Sequence, residues 1–237
     1  MSGEREEPSQ QGWEGEGRRS FIVAIDGPAA SGKGTLARRL AEHFGFAHLD
    51  TGALYRATAR LVLDAGGEPA DPATAEAAAS QVDPQLLADP RLRGDEVAGA
   101  ASVVAAIPEV RQALLALQRN FAAHPPASAR GAVLDGRDIG TVICPQADVK
   151  LFITASTEAR ASRRVKELRQ QGAAAIYEDV LQDLTLRDTR DSKRRAAPLA
   201  VAPDAKVIDT TMLDANVVFQ CASELVARTL KEKEWQQ

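Results

Sequence analysis

The chain has 237 residues and a formal net charge of −4, long enough to bury a substantial core in one large α/β domain and without the broad basic field that would attract nucleic acid. Its two cysteines and three histidines form no metal-type cluster, and no apolar run approaches the roughly 18 residues of a membrane span. It therefore reads as a soluble, cytoplasmic protein, expected to be a monomer with no nucleic-acid or membrane partner.

Residues 1–19 are mostly Gly, Glu, Gln, Arg and Ser, with Trp13 the only large apolar residue, so a disordered tail is expected there. From Phe21 to Ile25 the Val/Ile-rich run is too short for a helix and predicts a buried strand. Gly27-Pro28-Ala29-Ala30-Ser31-Gly32-Lys33-Gly34-Thr35 follows, fitting G-x-x-x-x-G-K with a glycine ahead of the hydroxyl residue. Leu36, Leu40 and Phe44 then mark one face of a helix. Strand, glycine loop and helix stand in the order of a phosphate-binding loop. There, backbone N–H groups and the helix N-terminus face anionic oxygens, Lys33 reaches the β- and γ-phosphates, and Thr35 sits near Mg²⁺, mostly through water. A glycine-rich turn with a chance lysine would not require matched periodicity on both sides.

Ala47–Asp50 predicts a short strand. Leu54, Thr58, Leu61 and Ala65 continue at helical spacing, with Thr51 a possible N-cap and Tyr55 and Arg56 a possible solvated flank. Residues 69–101 are Ala-rich and broken by prolines, predicting short helices joined by turns. Pro108 opens a helix whose stripe is Val110, Leu114, Leu117 and Phe121, with Arg111 away from it. Gly131–Asp135 and Val149–Ile153 predict two further strands, the first running into Gly136-Arg137-Asp138. Ser156 or Thr157 caps the next helix, with Arg160, Arg163, Arg164 and Lys166 at exposed positions. A helix from about Ile176 carries Arg187, Arg190, Asp191 and Arg194 on one face. Lys206–Asp209 predicts the last strand. Asp214 then caps a helix with Val218, Cys221 and Leu225 inward. Strands alternating with helices imply a parallel sheet covered on both faces.

The arginine run from Arg187 to Arg195 fits a salt-bridged solvent face, the usual meaning of such a run. However, three arginines on one helix face repel unless an anion sits among them, and a phosphate loop in the same chain supplies a reason for that anion.

Leu49 to Arg56, Ala101-Ser102 with Val110-Arg111, Leu134 to Thr141, Leu186 to Arg195 and Ala197-Pro198-Leu199, taken with the phosphate loop, resemble the bacterial cytidylate kinases. These belong among the nucleoside monophosphate kinases. The resemblance covers nearly everything from Phe21 to Leu230, and its Asp-Thr-Gly-Ala-Leu-Tyr-Arg and Asp-Gly-Arg-Asp-Ile-Gly-Thr segments are far more specific than the loop. It implies a P-loop NTPase-type α/β fold with a five-stranded parallel sheet. The core would be 20–66, 128–155 and 204–237, the monophosphate-binding subdomain about 67–127, and the lid about 156–203. It implies transfer of the ATP γ-phosphate to CMP or dCMP with Mg²⁺. By position, Ser102, Arg111 and Asp138 are then base readers, and Thr51, Tyr55, Arg56 and Arg137 hold the monophosphate. Arg187 and Asp191 lie at the pentose, while Lys33, Arg190 and Arg194 neutralise the phosphates.

Two departures stand out. Thr51 replaces the family's usual serine, and Gln81–Asp95 is too short and proline-broken for the small antiparallel sheet that the bacterial enzymes carry there. Alternatives are another monophosphate kinase, for UMP or AMP, or a nucleotide-dependent switch. The Gly-Phe-Pro-Arg of adenylate kinases and the Asn-Lys-x-Asp of guanine readers are both absent.

Overall fold

The computed structural model describes residues 19–170 and 172–234, so nearly all of the expected tail, Trp13 included, lies outside the described residues. Five strands, β1 (Phe21–Asp26), β2 (Ala47–Asp50), β3 (Gly131–Gly136), β4 (Val149–Thr154) and β5 (Lys206–Asp209), form one sheet in the order β2-β3-β1-β4-β5. Every neighbouring pair is parallel. Each strand coincides with an apolar run of the sequence.

Alternation along the strands decides which helices go where. Phe21, Val23 and Ile25 of β1 share a core with Val133, Leu151 and Ile153 beneath α1 (Lys33–Phe44) and α8 (Ala215–Glu234). Ala24, Ala132 and Leu134 point the other way, into the core built with α2 (Thr51–Asp64), α3 (Pro72–Ala79), α4 (Asp95–Val104) and α5 (Pro108–Ala123). Successive side chains of a strand take opposite faces, so two apolar faces demand helices on both sides. The remaining helices, α6 (Thr157–Gln170) and α7 (Tyr177–Lys193), join β4 to β5.

The proline-broken stretch is set by one repeated device. Asp71-Pro72, Asp83-Pro84 and Asp89-Pro90 each start a helical turn, with the aspartate accepting the N–H of Thr74, Gln85 or Arg91. Proline suits the first helical position because its missing N–H would have no partner there. Among the described residues no strand lies between Gln81 and Asp95, in keeping with the shortened insertion.

Several local expectations are corrected. Asp50, not Thr51, caps α2 by accepting from Ala53 N. Tyr55 is buried rather than a solvated flank. Arg111 and Gln118 are both buried on α5, because that helix is covered on more than its aliphatic stripe. Cys221 is exposed, and Ala222 and Val226 turn inward beside Val218.

At the amino-terminal edge of the sheet, Asp148 is a buried clasp. Its carboxylate accepts from Ile22 N at 2.6 Å and from Lys233 Nζ, with Arg19 Nη2 at 3.4 Å. Asp148→Ala leaves a backbone donor without a partner, a loss of about 1–3 kcal/mol. Urea unfolding should show that loss while kcat stays unchanged, since the clasp is at the opposite edge from the strand ends described next. An altered kcat at full folding would contradict this separation.

Candidate active site

The loop after β1 is possible only with glycine at its start. Gly27 has φ +154°, and a Cβ built there would lie 2.0 Å from Ile153 O, so the backbone can cross the end of β4 only without a side chain. Gly32, at φ +91°, then caps α1. Lys33 Nζ folds back to donate to Pro28 O at 3.1 Å. Burial first, and the nearby Arg137 second, bring its ammonium down to about 7.

Carboxylates crowd the same edge, because β1, β2 and β3 all bring an aspartate to their carboxyl ends. Asp26 accepts from Ile139 N and Gly140 N, both at 2.8 Å. Burial outweighs these bonds and pushes its carboxyl up to about 6. The two amides open the short π-helical segment Ile139–Ile143, so Asp26 fixes the turn that carries Arg137 and Asp138. Asp50 pairs with Arg56 at 2.7 Å, and although burial opposes it, that guanidinium holds the carboxyl below its ordinary value. His48 Nε2 lies 2.8 Å from Asp135 Oδ1. The Thr51 hydroxyl donates to Asp135 O at 2.8 Å, tying the start of α2 to the end of β3.

A second, buried cluster lies beyond β3. Arg111 donates to Tyr55 Oη at 3.1 Å and to Asp138 Oδ2, while Arg194 Nη2 lies 3.3 Å from Asp138 Oδ1. Burial and the neighbouring Arg111 both lower the pKa of Arg194. Arg137 Nε donates to Asp191 Oδ2 at 2.7 Å; against the effect of burial, that arginine keeps Asp191 below the ordinary carboxylate range. Arg187 Nη2 donates to Ala98 O at 2.5 Å. The buried Ser102 hydroxyl has no partner among the described residues.

The structure thus brings together Tyr55, Arg111, Arg137, Asp138, Asp191 and Arg194, with Lys33 and Arg187 at their margin. Arg190 is exposed and outside this network, and Arg194 follows the last residue of α7 rather than lying within it. Arg160, expected outside, is buried. Sequence reasoning missed Asp26 and Asp135 as site residues, although each aspartate at the end of an apolar run was a usable signal. It also missed a cavity of about 170 Å³ beside the loop, lined by Gly32, Thr35, Arg39, Arg163, Thr210 and Leu213.

Among the described residues no group of three His, Cys, Asp or Glu side chains could hold a metal. What is present is the exposed Thr35 in the first turn of α1, and Asp135 Oδ2, which lies 3.6 Å from a Cβ built on Gly34. Such sparse, hard oxygen donors fit Mg²⁺ held mainly by phosphate oxygens and water.

Comparison with known proteins bears on the family and the fold. The family model described as cytidylate kinase matches residues 23–228. A cytidylate kinase of Rhodospirillum rubrum is 57% identical over 87% of this chain and 97% of its own length. That of Paramagnetospirillum magneticum is 59% identical over 87% and 98%. An uncharacterized protein from Eubacterium ventriosum shares the fold, with a TM-score of 0.52 at 12% identity, over 88% of this chain and 99% of its own.

The lowered Lys33 pKa gives a pH test. Without bound phosphate Lys33 is expected to lose its proton as pH rises through about 7, whereas phosphates beside it would favour the charged form. Binding at pH 8 must therefore take up a proton, and ATP affinity should weaken as pH rises through 7. Calorimetry in two buffers of different ionisation heat should find an uptake approaching one proton, absent in Lys33→Met. Equal uptake in both proteins would remove Lys33 from the phosphate site.

Proposed function

The chain belongs to the cytidylate kinase family, and on that premise we propose that it transfers the γ-phosphoryl group of ATP to CMP and dCMP. The observation that carries this reading is the buried Arg111–Asp138 pair beside Tyr55. Cytosine offers an amino donor at C4 and an acceptor at N3. An ionised carboxylate only accepts and a guanidinium only donates, so Asp138 suits the amino group and Arg111 suits N3 or O2. Uracil has the opposite polarity at both positions. The longer Arg194–Asp138 bond is the one a bound base would replace. Ser102 adds a hydroxyl with an unused bond.

On this reading ATP lies with its phosphates along Gly27–Thr35 and its base in the cavity beside Gly32 and Thr35. Thr51, Tyr55, Arg56 and Arg137 hold the monophosphate end, Thr51 by tying the start of α2 to the end of β3. Arg187 and Asp191 face the pentose. Lys33, Arg194 and, once α7 moves inward, Arg190 neutralise the transferring phosphoryl group. Transfer through a loose transition state needs in-line positioning and charge neutralisation more than a strong base. Mg²⁺, when bound near Thr35 and Asp135, supplies further neutralisation of phosphate charge. Residues of about 67–127 form the monophosphate-binding subdomain and about 156–203 the lid, whose closure keeps water from the γ-phosphate. The reading includes a monomeric, cytoplasmic enzyme. Nothing in the comparisons favours UMP or AMP as acceptor.

The test is ATP-dependent phosphorylation of CMP, dCMP, UMP, AMP and dTMP. CMP and dCMP should lead in kcat/KM, and a preference for AMP or UMP would overturn the assignment. Asp138→Ala should lower kcat/KM for CMP by about tenfold to a hundredfold, the usual effect of mispairing a buried polar group. Its effect on UMP should be much smaller. An unchanged CMP/UMP ratio would show that Asp138 merely supports its arginines.

A further inference from the structure

Arg160 lies in the first turns of α6 and is not among the residues assigned above, yet its side chain is 4% exposed. All five of its N–H groups have acceptors. Nε donates to Ala155 O at 3.0 Å, Nη1 to Ala29 O at 3.2 Å and Asp188 Oδ1 at 3.1 Å, and Nη2 to Thr157 Oγ1 at 2.9 Å and Asp188 Oδ2 at 2.5 Å. One guanidinium therefore joins the end of β4, the phosphate loop and α7. Its planar fork meets the Asp188 carboxylate through two parallel bonds, which fixes orientation as well as distance.

Beside this pair, Ala29 of the loop packs on Ala161 of α6 and Leu184 of α7, with Ala30, Val180 and Leu181 around them. These are the contacts of α7 with the loop that would hold the donor nucleotide. Its other charged contacts, Arg187 to Ala98, Asp191 to Arg137 and Arg194 to Asp138, reach toward the acceptor side. Asp188 follows Arg187 directly and stands one helical turn before Asp191. A shift at Asp188 thus moves every substrate-facing side chain of α7 relative to the loop.

We propose that Arg160 is a positioning residue for phosphoryl transfer, holding the α7 arginines in register with the phosphate loop through Asp188. The proposal rests on the kinase reading. It adds that in-line geometry between the two nucleotides depends on a side chain touching neither. A misplacement of about 1 Å can lower a rate by about a hundredfold without abolishing binding.

Asp188→Asn is nearly isosteric and sits on a partly exposed side chain, and Arg160→Lys keeps the charge while losing the fork. Both should lower kcat at least about tenfold with KM for ATP and CMP within about threefold. Both should also raise the share of ATP hydrolysed without transfer, which loss of folded protein alone would not do. The double variant should be no worse than the poorer single one. If Arg160→Lys does not fold, Asp188→Asn decides. An unchanged kcat, or a fall in kcat matched by the loss of ATP-binding sites with an unchanged hydrolysed share, would overturn the proposal. Wild type is assayed first over the same acceptors. Should it prefer another monophosphate, the CMP reading falls, while the variants on that acceptor still decide the role of Arg160.

Discussion

Charge held out of water governs this molecule's working edge. A buried ion costs several kcal/mol unless an opposite charge and hydrogen bonds compensate it, and here the carboxylates each have a dedicated partner. Asp138 has Arg111 and Arg194, Asp191 has Arg137, and the half-buried Asp188 has the buried Arg160. Asp26, with no arginine, is held by two amides and keeps a raised pKa. The strand-ending aspartates find their partners close by, in two amides, Arg56 and His48, whereas Arg160 and Arg194, both after β4, answer Asp188 and Asp138. The charges of this edge are thus balanced by one another.

This also explains why α7 is not simply a solvated charged helix. Its run of Arg and Asp would be equally at home on a surface, and half of it is. Arg190, Lys193 and Arg195 remain exposed. What distinguishes Arg187, Asp191 and Arg194 is that partners wait for them on α4 and on the turn after β3. The same helix thus carries solvated charge and site charge within a few residues.

Local pattern revealed the strands almost residue for residue, because short Val/Ile runs ending in aspartate and glycine have few other readings. The prolines of residues 69–101 showed short helices joined by turns, but not the Asp71, Asp83 and Asp89 caps that start them. Nor was Arg160 legible. Helical spacing gave its face, but its burial comes from Asp188 and Ala29, which are brought near only by tertiary structure. Arg111 failed for a related reason: an aliphatic stripe marks the greasiest side of α5 without saying how far around the helix burial extends. Thr51 illustrates a third limit. Spacing shows a hydroxyl next to a helix start, and only the placement of β3 shows that Asp135 O takes it.

The order of the strands has a consequence for how the chain is made. β1 is synthesised first, yet it lies at the centre of the sheet, hydrogen-bonded to β3 and β4. Its partners Gly131 and Val149 emerge only after the whole of α2 to α5. Until then Phe21–Asp26 is an apolar, β-prone segment with two unpaired edges. Long-range parallel pairing of this kind makes folding slow and exposes intermediates to association. The Gly27–Thr35 loop therefore gains its geometry late, when Ile153 of β4 arrives beneath Gly27.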